Sequence, residues 1–103
     1  MWNSIKQTAV RLYGAPHIRL AETSTTLAVE VTAGSPEKVH FQLYDELLRL
    51  PRGSCMHQLV RAERRIFLFA LTAAAMVELQ HRYTDRAEAP TKLQWHGPYR
   101  HAA

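Results

Sequence analysis

The 103-residue sequence predicts a mainly α protein, α+β at most: about three helices, the last one long, a short extended segment or β-hairpin between helices 1 and 2, and a helical homodimer. Three observations predict it. Trp2, Ile5, Ala9 and Leu12 recur at helical spacing; Gly34-Ser35-Pro36-Glu37 reads as a helix start; and Ile66 to Val77 (IFLFALTAAAMV) hold Thr72 as their only polar side chain. A helix that is apolar around its whole circumference is buried on every side, and so short a chain has few elements to surround it. A second copy or another protein is the expected source of the missing cover.

Helix 1 is expected to be short and amphipathic, capped by Asn3 or Ser4 and ended by Gly14 and Pro16. Beyond it, Leu27, Val29 and Val31 alternate with Ala28, Glu30 and Thr32, which predicts a strand over Thr26 to Thr32. Ile18 to Leu20 would pair with it through the loop Glu22 to Thr25; a helix capped by Ser24 is the competing reading of residues 17–33. Ser35 as N-cap, Pro36 at the first helical position and Glu37 in the first turn start helix 2. Its apolar residues form two stripes, Val39, Leu43, Leu47 and Leu50 on one and Phe41, Tyr44 and Leu48 on the other. The first suits the chain's own core, and the second, Phe41, Tyr44 and Leu48, is the candidate partner-binding surface.

Pro51-Arg52-Gly53-Ser54 breaks the chain again, with Ser54 as the next N-cap. The last helix is then expected from Cys55 to Tyr83 or Asp85, about 30 residues and about 45 Å. Ala70, Ala73, Ala74 and Ala75 would narrow its middle, and Phe67, Leu71, Ala74 and Val77 are the residues expected to form the dimer interface. Residues 1–86 make a single helical domain on this reading. Residues 87–103, with two prolines and a glycine, read as an irregular tail in which Trp95 and Tyr99 favour docking.

Composition is that of a globular protein, with 47% hydrophobic and 21% charged residues and a net charge of +4. Ten of the thirteen cations are arginine, the side chain suited to carboxylate and phosphate forks. The single cysteine, Cys55, excludes an internal disulfide and fits a reducing, cytoplasmic setting. The amphipathic start WNSIKQTAVRLYG does not read as a secretory signal, and the apolar run is shorter than a membrane span, so no membrane role is expected.

No catalytic or cofactor motif is visible, and no enzyme, metal or cofactor is expected. Cys55-Met56-His57 lacks the further ligands of a zinc site, and the remaining histidines show no ligand spacing. A thiol near a helix N-terminus would have a lowered pKa, but no third group orients His57 toward it, which favours a semi-buried thiol. Asp45 and Glu46 diverge by about 100° on a helix and read as a solvated face. Arg61, Arg64 and Arg65 would share one helical side, giving a DNA-binding regulator as the alternative function. Glu63 within that cluster, the apolar run after it and a charge of only +4 argue against phosphate as the main partner.

The arrangement TTLAVEVTAGSPEKVHFQLYDELLRL, then a break, then a helix carrying ALTAAAMVEL, resembles the QslA type of quorum-sensing anti-activator over roughly residues 25 to 83. The resemblance lies in layout and carries no individual functional residue. It implies a protein that binds a LuxR-type transcription factor and prevents its dimerisation, acting by occupying a surface.

Overall fold

The alternation of Leu27, Val29 and Val31 with Ala28 and Glu30 builds a strand at the centre of an antiparallel sheet. In this computed structural model residues 1–32, 40–61, 64–84 and 95–96 are described, with backbone alone at 40, 41, 84, 95 and 96. The order is α1 (Asn3–Tyr13), β1 (Ile18–Glu22), β2 (Thr26–Thr32), α2 (His40–Leu47), β3 (Cys55–Val60), β4 (Arg64–Ala70), α3 (Ala73–Thr84) and β5 (Trp95–His96). The strands lie in the order β3-β4-β2-β1-β5, every neighbouring pair antiparallel. The fold is therefore α+β around a sheet, and the expected mainly helical bundle with a long last helix is corrected.

The correction has one physical cause. A strand sends alternate side chains to opposite faces, and where both faces are covered both sets are apolar, so it reads as a continuous apolar run. Phe67 and Phe69 of β4 enter a core with Ile5, Ala9 and Tyr13 of α1, Leu20, Val29 and Leu43, while Ile66, Leu68 and Ala70 enter a second core with Met76, Leu79 and Tyr83 of α3. Helices α1 and α2 thus cover one face and α3 the other. The cover that the sequence assigned to a second copy comes from the chain itself.

The expected helix from Cys55 to Tyr83 is two strands, a bend and a helix of twelve residues, about 18 Å long. Thr72, the lone polar side chain of the run, separates them: its Oγ1 accepts the Ala75 backbone N–H at 3.1 Å, an N-cap for α3. ALTAAAMVEL, on which part of the anti-activator resemblance rests, spans the end of β4, this bend and the start of α3.

The N-terminal half follows the sequence more closely. Helix α1 buries Ile5, Thr8, Ala9 and Tyr13 and ends at Gly14, whose φ of 90° suits glycine. No side chain caps it, however; Trp2 occupies the N-cap position, and its Nε1 donates to the Thr23 carbonyl at 2.9 Å, tying helix to hairpin. Within the segment that offered hairpin or helix, residues 18–32 hold the hairpin, with Leu20 opposite Val29, and not the competing helix. The expected start of helix 2 at Ser35-Pro36-Glu37 lies outside the described residues. Of the segment read as a tail, Trp95–His96 are described and pair with Leu20 and Ala21.

Two polar clusters lock the layers. Glu30, on the α3 face of β2, receives Arg19 and Arg64 from the strands on either side, each at 3.1 Å. Glu46 of α2 faces α1, where Ser4 Oγ and Thr8 Oγ1 donate to its two carboxylate oxygens at 2.7 and 2.8 Å. Adjacent Asp45 is exposed, so the pair diverges as expected, but Glu46 is buried and not part of a solvated face. No helix of the described residues is long and apolar enough to cross a membrane.

Candidate interaction surface

A sheet has two edges, and here they differ. β1 pairs with β5 on its outer side, whereas β3 pairs only with β4 among the described residues. β3 reads Cys-Met-His-Gln-Leu-Val, with no Lys, Arg, Asp, Glu or Pro. Edge strands are ordinarily kept from pairing by such residues, because an unpaired row of backbone N–H and C=O groups is a template for another strand.

The register places Met56, Gln58 and Val60 on the face of α1 and α2, and Cys55, His57 and Leu59 on the face of α3. Tyr44 of α2 reaches down to this strand and donates its hydroxyl to Gln58 Oε1. Val60 is 62% exposed and Leu48, just past the end of α2, is 84% exposed. Among the described residues, an unpaired strand edge and the exposed Val60 therefore occur on one strand, which α2 reaches through Tyr44.

The residues expected from sequence to form sites are redistributed. Phe67 is fully buried in β4 and Leu71 packs on the same core, whereas Ala74 and Val77 are exposed on α3. They share no helical face, so the expected seam of Phe67, Leu71, Ala74 and Val77 is corrected. For the partner-binding stripe, Tyr44 and Leu48 are both on the α2 side, and the Phe41 side chain lies outside the described residues.

Arg61, Arg64 and Arg65 likewise form no single patch. Arg64 and Arg65 are consecutive on β4 and point to opposite faces, Arg64 to Glu30 and Arg65 to the side of Tyr13. Arg61 Nη2 donates to the Tyr83 carbonyl at 2.7 Å, at the C-terminus of α3, where a cation is favoured. Arg61 and Arg64 tie elements together, and among the described residues no helix carries the three arginines.

Cys55 is on a strand and not at a helix N-terminus, and burial pushes its thiol up rather than down. Its Sγ lies 3.8 Å from the Thr72 carbonyl, and His57, on the same face of β3, shows no bond to it. Among the described residues no three of His, Cys, Asp and Glu are placed to hold a metal ion. A cleft of about 240 Å³ lies between the Thr23–Thr26 turn and α3. Its hydroxyls at Thr23 and Thr26 bond each other at 2.7 Å, and its charges, Glu78 and Arg82, pair at 2.6 Å.

Sequence reasoning missed Gln58 and Val60 because β3 was read as helix. The signal was there in part: six residues without a charge, set between Gly53-Ser54 and the charged run RAERR, have the length and punctuation of a strand. No protein-family model, curated protein or solved structure matches the chain.

Proposed function

We propose that this chain is a small non-enzymatic regulatory protein that binds another protein and blocks it, in the manner of an anti-activator that keeps a transcription factor from dimerising. One observation supports the contact more than any other: β3, at the sheet edge among the described residues, has six residues with no charge and no proline and ends on the exposed Val60. Such an edge accepts an extended segment of a partner through main-chain hydrogen bonds, with alternate side chains supplying specificity. Tyr44 and Leu48 then border the added strand. A LuxR-type transcription factor as the target, and quorum sensing as the setting, rest on the resemblance of residues 25–83.

The test is comparative capture from nuclease-treated extract of the source cell, using the wild type and the double variant Leu48→Glu, Val60→Lys. Both positions are exposed, so the variant is expected to fold with an unchanged melting profile. The wild type is expected to recover a transcription factor that the variant loses. Recovery of the same proteins by both, or recovery only when DNA is left intact, would remove the basis of this function.

A further inference from the structure

Building on β3 as the working surface, we infer that without a target this edge pairs with β3 of a second copy of the chain, antiparallel, about a two-fold axis at Gln58. Two antiparallel strands related by a dyad present the same face of each sheet on the same side, so residues of one face meet residues of that face. With Gln58 on the axis, Met56 of each copy faces Val60 of the other, and His57 faces Leu59. The exposed Val60 is covered in that register and in its symmetry mate at once.

The chemistry of the strand favours a copy of itself. Each chain carries +4, so two copies repel in general, but Cys55–Val60 brings no Lys or Arg against its own counterpart. Gln58 is self-complementary, since its amide both donates and accepts, whereas an ionised side chain on the axis would face its own charge. The opposite edge supplies the limit on size. β5 occupies β1 at Leu20 and Ala21, so pairing through β3 closes at two copies and does not propagate.

Sedimentation with disulfide trapping tests this. The wild type is expected to sediment as two copies, and Val60→Lys to raise the dissociation constant by about tenfold, with the fold intact by circular dichroism. In a Cys55→Ser background, Gln58→Cys is expected to cross-link on mild oxidation, because opposed Cα atoms in an antiparallel pair lie about 4.5–5.5 Å apart, within a disulfide's reach. Val77→Cys, exposed on α3, is the control expected to stay uncross-linked. A wild type that sediments as one copy overturns the inference, as does a two-copy species that Val60→Lys leaves unchanged and Gln58→Cys does not trap. Should the single-copy protein still lose its captured target on Val60→Lys, the pairing of copies falls alone; a trapped dimer whose capture ignores Val60 instead sinks the regulatory reading and leaves the dimer.

Discussion

Glu46 and Glu30 are both buried carboxylates, held by different chemistry. Glu30 faces two guanidinium groups across the strand ladder, Glu46 two hydroxyls on a neighbouring helix. Burial works against the Glu46 charge, yet donation by Ser4 and Thr8, with Arg49 and Arg11 nearby, outweighs it and holds the carboxyl below its ordinary value of 4.5. A carboxyl with a lower pKa folded than unfolded adds stability above the unfolded value and loses it as the pH falls through the folded one. The α1–α2 contact should accordingly weaken on acidification below about pH 4.5. Glu46→Gln, which cannot ionise, is expected to lose less stability over that interval than the wild type. Melting temperatures measured for both proteins from neutral pH downward check this, and parallel acid limbs would show that Glu46 is not the responsible group.

At the scale of elements, legibility in the sequence followed the chemistry of the buried side chains. β2 is buried on both faces, but small or polar Ala28, Glu30 and Thr32 alternate with Leu27, Val29 and Val31, and that alternation gave its bounds at Thr26 and Thr32; α1 buries one stripe opposite a polar face and was readable as such. β4 carries apolar side chains on both faces, which erases the alternation, and it runs into α3 through Leu71 and Thr72 without glycine or proline, so two elements merged into one apolar stretch. The side-chain types held a clue: Ile66, Phe67 and Phe69 suit a strand, Ala73 to Ala75 a helix, and Thr72 between them a cap. The proposed interaction surface was half legible, since Tyr44 and Leu48 came from the helix pattern while Gln58 and Val60 depended on seeing β3. Thr72→Ala removes the α3 cap from an exposed position and is expected to cost about 1 kcal/mol, or about 4–8 °C in melting temperature for a chain this size. Thr72→Ser, which keeps the hydroxyl, should lose much less; equal losses in the two variants would locate Thr72's contribution outside the cap.

For the whole molecule, the two sheet edges set what the chain can assemble into. A single open edge gives a closed pair, whereas two open edges on opposite sides give contacts that repeat without closing. Ending the chain at Pro90 removes β5 and leaves Leu20 and Ala21 of β1 without that partner. The shortened protein is expected to form species larger than the full-length chain, growing with concentration, as followed by light scattering. The deletion also removes Lys92 and Arg100 and no acid, taking the net charge from +4 to +2, and lower repulsion alone would favour association. Salt separates the causes: it screens repulsion in the full-length chain without opening β1. Full-length protein that keeps its size in high salt, beside a shortened chain that grows, assigns the limit to β5; growth of both in salt assigns it to charge, and a shortened chain that keeps the full-length size shows that β1 needs no cover.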